Sequence, residues 1–257
     1  MKIKKYLTLI MFLLTPVGVL GFEESAIIYN STIEAEQQIA LGIRKEGQMG
    51  AAIGNIVKNS GRSRALGRKR STGIAYKFDG SESEGYLSGW YDATTPGCLC
   101  EGWGAGFVDR VGQKFYGKAA MDNPLSGPGI KNIEVKSFVF DETSITSTVW
   151  IKDSTGQAVL EVTHRFGPAA KAPGALFQAL VTMTNISGDS LQDVTYNRTM
   201  DWDVPPTEFN EYVTIKGAAA SAASPNTPKI LNSGNNGFMT PDPFNLGRSY
   251  GSYRYRK

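Results

Sequence analysis

Apolar and polar residues alternate most regularly between positions 158 and 166, where Ala158, Leu160, Val162 and Phe166 share one parity and Glu161, Thr163 and Arg165 share the other. A period of two puts successive side chains on opposite faces of an extended chain, so this run predicts a strand with one buried face. Phe177, Ala179, Val181 and Met183 repeat the pattern. Val194, Tyr196, Met200, Trp202 and Val204 repeat it again before Pro205 and Pro206 stop the ladder. Turn-forming clusters separate the runs at Asp153-Ser154-Thr155-Gly156, at residues 167–174 and at Ser187-Gly188-Asp189. Downstream of residue 60 no amphipathic helix is evident, so the apolar strand faces must be covered by a second sheet. The predicted fold is all-β: an antiparallel β-sandwich built as a meander of long strands, of supersandwich-like build.

The first part of the chain is less regular. Residues 31–43 include the helix formers Glu34, Glu36, Gln37 and Gln38, yet Gly42, Gly47 and Gly50 punctuate the stretch, so Ile39–Arg44 reads equally as a first strand. Lys58, Arg62, Arg64, Arg68, Lys69 and Arg70 then form a basic loop without interleaved aromatics, which is read as a solvated loop more readily than as a contact for an anionic polymer. At the very start, Lys2, Lys4 and Lys5 precede an almost wholly apolar run of 15 residues, 6–20, that Pro16 interrupts. That run is shorter than the roughly 20 residues needed to span a bilayer, and it ends on Val19-Leu20-Gly21, so residues 1–21 read as a cleaved secretory signal. No stable membrane span is expected after cleavage. The predicted organisation is a signal peptide at 1–21, an N-terminal segment at 22–72, a β-sandwich at 73–216, and a loop rich in Ala, Ser and Pro leading into an extension at 217–257.

Charge narrows the range of partners. Of 27 basic residues three precede the apolar run, and the rest balance the 24 acidic ones, so no global field favours nucleic acid. One histidine and two cysteines in 257 residues cannot build a multi-histidine or four-ligand Cys/His metal site. No Gly-x-Ser-x-Gly elbow, phosphate-binding loop or dinucleotide fingerprint occurs.

The candidate chemistry is correspondingly sparse. Cys98 and Cys100 sit two residues apart after Pro96-Gly97. In a regular strand their Cα atoms would be about 6.6 Å apart, near the upper limit for a disulfide. A bridge therefore needs a bend, and two buried thiols are the equal alternative. Asp201 and Asp203 flank Trp202, and period-two alternation sends both carboxylates to one polar face, with Glu208 just beyond the double proline. These hard oxygen donors could hold calcium or flank a sugar; the plainer reading is a solvated strand edge, or ion pairs with a neighbour such as Arg198, which occupies an otherwise apolar parity and needs a partner if buried. Trp90, Tyr91 and Trp103 could stack on sugar rings or simply pack. His164 has the parity of Leu160 and Val162 and reads as a core histidine.

Three stretches taken together, residues 97–104 (GCLCEGWG), 194–215 (VTYNRTMDWDVPPTEFNEYVTI) and 235–244 (NNGFMTPDPF), resemble a group of secreted Gram-negative bacterial proteins of the PEP-CTERM-associated, exosortase-sorted type, over roughly residues 39 to 247. The resemblance implies an exported β-rich protein of the cell surface or exopolysaccharide matrix and brings no established catalytic residues. Here the sorting tail is missing, and further strands would be expected after residues 237–238, so the C-terminal extension is read as truncated. The leading expectation is a non-catalytic β-sandwich protein associated with extracellular polysaccharide or surface proteins, with no nucleic-acid partner. The alternative is a carbohydrate-binding module, with or without calcium, using Trp90, Trp103, Asp201 and Asp203. A carbohydrate-active enzyme comes third.

Overall fold

A computed structural model describes residues 24–51, 71–79, 88–94, 101–120, 129–205, 207 and 243. Residues 1–21, read as a signal, the basic residues 58–70, Cys98, Cys100 and Glu208 lie outside these residues. Within them the chain is all-β, with a single 3-10 turn at Glu34–Glu36 where helix formers had been noted. The strands are β1 (Ser25–Tyr29), β2 (Ile39–Arg44), β3 (Ile74–Phe78), β4 (Gly89–Asp92), β5 (Glu101–Val108), β6 (Lys114–Ala120), β7 (Gly129–Lys131), β8 (Glu134–Phe140), β9 (Ile145–Lys152), β10 (Ala158–Pro168), β11 (Phe177–Asn185) and β12 (Gln192–Met200). They form three antiparallel four-stranded sheets, ordered β1-β2-β3-β4, β11-β10-β9-β8 and β12-β5-β6-β7.

The second sheet is the predicted meander. Its turns follow from side chains that satisfy the backbone locally. Asp153 accepts from the N–H groups of Thr155 and Gln157 at 2.8 and 3.1 Å, and Gly156, at φ +85°, closes the β9–β10 hairpin. One face of this sheet is buried and apolar at both ends, with Ser147 and His164 paired between the two apolar stretches. Val149, Ile151, Leu160 and Val162 pack against Trp103, Ala105, Phe107 and Ala119 of the third sheet. Further along, Ile145 and Phe166 pack against Ala26, Ile28, Leu41 and Ile43 of the first. The long-strand sheet is thus one layer, and the two shorter sheets together form the other.

Three expectations need correction. The last run of alternation does not extend the meander: β12 crosses to the third sheet and pairs with β5, Arg198 opposite Trp103 and Met200 opposite Glu101. It ends at Met200, so residues 201–204 are not strand. In β11 the parity of Phe177, Ala179, Val181 and Met183 is only half covered, since Ala179 and Met183 are exposed, because among the described residues β11 is an edge strand bordered by β10 alone. Ile39–Arg44 is a strand, but the second one. Ser25–Tyr29 precedes it and pairs with it, and both carry core residues.

Candidate functional site

The polar groups of the interior gather where the three sheets meet. The turn that follows β2, residues 45–48, leaves its sheet and enters this junction, so its backbone groups must find partners away from water. Its carbonyls at Lys45, Glu46 and Gly47 are met by side chains of β9, β5 and β12, while the Lys45 and Gly47 N–H groups donate to the Glu24 and Arg44 carbonyls. Ser147 of β9 donates its hydroxyl to the Lys45 carbonyl at 2.6 Å. Trp103 of β5 donates Nε1–H to the Glu46 carbonyl at 2.9 Å. Arg198 of β12 donates Nη2–H to the Gly47 carbonyl at 3.1 Å. The Met49 N–H donates to Oε2 of Glu101 at 2.7 Å.

Arg198 and Glu101 also form an ion pair, Nε to Oε1 at 2.8 Å, with the Glu101 side chain wholly buried. Burial pushes the Glu101 carboxyl above its usual range; the Arg198 charge and the Met49 N–H oppose that shift. Burial, the largest influence, disfavours the Arg198 cation, but Glu101 and Tyr196 together outweigh it, so Arg198 stays protonated. Next to the pair, His164 of β10 is fully buried, its Nε2 3.1 Å from the Tyr196 hydroxyl and its ring 4.5 Å from that of Trp103. Burial, with the Arg198 charge adding to it, pushes the imidazole down to about 3, so it is neutral throughout the physiological range. Nδ1 has no hydrogen-bond partner and faces Gly47. A Cβ on Gly47 would sit 2.8 Å from that nitrogen, and Gly47 holds φ +87°, so glycine is required there on two counts.

This arrangement reassigns the sequence candidates. Trp103 is in the core, 0% exposed, stacked 6.0 Å from Tyr196 and hydrogen-bonded by its only polar atom. It cannot serve as a sugar platform. Tyr91 is buried as well. Trp90 is half-buried on β4, edge-on to Tyr29 at 6.0 Å and with Lys77 Nζ 5.4 Å from its ring centre. It lies in a different sheet from Trp103. Arg198, half-buried with its side chain 15% exposed, is paired with Glu101 and not with Asp201 or Asp203. Asp203 is buried beyond the end of β12, where its N–H donates to the Ala93 carbonyl at 2.9 Å; Asp201 is half-buried. With no strand at 201–203, alternation does not place the two carboxylates on one face. Among the described residues no group of three His, Cys, Asp or Glu side chains is placed to hold a metal. Glu208 lies outside them, as do Cys98 and Cys100.

An open cavity of about 650 Å³ lies between β1 and the β8–β9 turn, with Tyr29, Glu34, Phe140 and Asp141 in its lining. The Asp141 carboxylate is committed to its own turn. Burial raises its pKa, but hydrogen bonds from Thr143 and Ser144 outweigh that and hold it below the usual range.

Sequence reasoning missed Trp150. In β9 the parity of Ile145, Ser147, Val149 and Ile151 is buried, and Trp150 shares the other parity with Thr146 and Thr148, on the open face of the long-strand sheet. Its Nε1–H donates to Glu161 at 3.0 Å, and Lys136 Nζ sits 4.5 Å from its ring centre. Beside it one hydroxyl from each strand forms a row, Thr182, Thr163, Thr148 and Ser137, set by the register of four neighbouring strands. A tryptophan at the hydroxyl-bearing parity was the available signal. No protein-family model, no curated protein and no solved structure matches the chain.

Proposed function

We propose that the chain is an exported, non-catalytic β-sandwich protein of the cell surface or exopolysaccharide matrix. One observation supports this reading: the groups best suited to acid–base chemistry, His164 and Glu101, are closed to solvent, His164 against the Tyr196 hydroxyl and Glu101 on the Met49 N–H and Arg198. A general acid or base must reach the proton it transfers, directly or through one water. Here the reach is filled by protein. The test is incubation with purified exopolysaccharides and a glycan panel, with product release followed alongside retention. Retention or matrix association without turnover is expected. Glycan cleavage that disappears on a single Asp or Glu substitution overturns the reading.

A second reading, a carbohydrate-binding module, is favoured by Trp150 and the hydroxyl row beside it. An indole flanked by a carboxylate, an ammonium and aligned hydroxyls offers the stacking and hydrogen-bonding groups that a sugar chain needs. The calcium variant of that reading rests on Asp201, Asp203 and Glu208 and has no geometric support in the described residues. Saturable glycan binding that Trp150→Ala removes, with melting unchanged, selects this reading over the first.

A further inference from the structure

Among the described residues strand β11 is an edge without protection. Its nine residues, Phe177–Asn185, pair with β10 position for position with no bulge. It contains no charged residue, no proline and no glycine. Such edges present a row of unpaired backbone N–H and C=O groups, and folded proteins usually blunt them with lysines, prolines, bulges or short length. The other edges in this molecule have those devices. β8 has a bulge between Val135 and Ser137 and carries Glu134 and Lys136. β12 has a bulge between Gln192 and Thr195 and carries Asp193 and Arg198. The three remaining edge strands, β1, β4 and β7, are five, four and three residues long. On β11, by contrast, Leu180 is 50% exposed on the open face and Met183 37% exposed on the core side, with Leu176 and Ile186 exposed at its two ends. Among the described residues nothing but β10 borders it.

We infer that β11 pairs antiparallel with β11 of a second copy of this chain, joining two long-strand sheets into one. The occupant follows from the charge pattern. A twofold axis through the middle residue sets Val181 opposite itself, Leu180 opposite Thr182, Ala179 opposite Met183 and Gln178 opposite Thr184. Isologous pairing of a strand with its own copy brings like charges close together whenever the strand carries them near the axis. β11 carries none, and the nearest charges, Glu161 and Arg165, sit one strand inward on β10. An added strand also covers both faces of the edge, Leu180 against Thr182 on one and Met183 against Ala179 on the other. This pairing is independent of any glycan reading.

Sedimentation velocity on the protein recovered from an exporting host tests it. The wild type should sediment at twice the chain mass with a concentration-dependent boundary, and Leu180→Lys/Thr182→Lys at the single-chain mass. Both substituted positions lie on the open face, and unchanged circular dichroism shows that the fold is kept. A wild type that stays monomeric, or a dimer that persists in the double variant, overturns the pairing. If the double variant loses its fold, hydrogen exchange on the wild type decides. Amides of β11 should gain protection as concentration rises, and exchange independent of concentration contradicts the proposal.

Discussion

The Arg198 guanidinium and the Glu101 carboxylate, 2.8 Å apart on neighbouring strands, hold one turn between them: Arg198 takes the Gly47 carbonyl and Glu101 takes the Met49 N–H. A buried ion pair on its own is a weak source of stability, because desolvating two charges offsets their attraction. What this pair adds is placement. Its remaining hydrogen-bonding capacity satisfies backbone that would otherwise be buried without partners, and that backbone belongs to the sheet across the junction.

Removing one partner leaves the other charged and alone in the interior. Glu101→Gln should therefore destabilise the fold by about 3–5 kcal/mol, seen as a lower urea midpoint. Replacing both, as in Glu101→Leu/Arg198→Met, should cost clearly less than the two single losses added together. Additive losses would mean that the two side chains do not act as a unit.

Gly47 and Gly112 share nearly the same positive φ, +87° and +84°, but differ in surroundings. Nothing lies near a Cβ added at Gly112, whereas at Gly47 it meets the His164 ring. Gly112→Ala should cost only the backbone strain, about 1 kcal/mol, whereas Gly47→Ala adds the clash and should cost about 2–4 kcal/mol. Thermal melts of the two variants give the comparison, and equal shifts would remove the steric role assigned to His164.

His164 makes stability depend on pH with a definite sign. Its folded-state value, about 3, lies below the unfolded value of 6.5, so the unfolded chain binds the extra proton. The stabilisation is whole above pH 6.5 and is lost as pH falls toward 3, at about 1.4 kcal/mol per pH unit within that window. Urea titrations between pH 7 and 4 should show this slope, and it should flatten in His164→Phe. An unchanged slope in that variant assigns the acid sensitivity elsewhere.

The strands with clean alternation were legible in the sequence because one face of each meets the core and the other meets water. β9 and β10 are of this kind. Arg198, at an apolar parity, announced a buried charge in need of a partner; its identity, Glu101, was hidden because the two lie 97 positions apart. Nothing local in 192–200 says that β12 will leave the meander for β5. β5 itself reads poorly as a strand, since Gly102, Gly104 and Gly106 have weak β-propensity, yet all eight of its residues are buried between β12 and β6. Trp103 illustrates the cost of reading composition without packing. Trp103 could stack on a sugar or pack, and only the sheet it lies in decides: its face turns to the core, while Gly102 and Gly104 lie on the opposite face. A Cβ on Gly102 would lie 2.8 Å from that of Ala120.

Two tryptophans separate binding from folding. Trp103→Ala should lower stability by about 3–5 kcal/mol through lost packing and an unpaired Glu46 carbonyl. Trp150→Ala should leave the melting midpoint nearly unchanged while reducing any retention on polysaccharide. The same melts with and without calcium should superimpose, because Asp201 and Asp203 do not converge with a third ligand among the described residues.

The turn at 45–48 fastens all three sheets through side chains of β5, β9 and β12. Hydrogen exchange on Arg198→Met, read strand by strand, tests it most directly. Amides of β2, β5 and β10 should lose protection together, since each sheet meets the others at that turn. Loss confined to β12 and β5, with β2 and β10 as protected as in the wild type, would contradict the account.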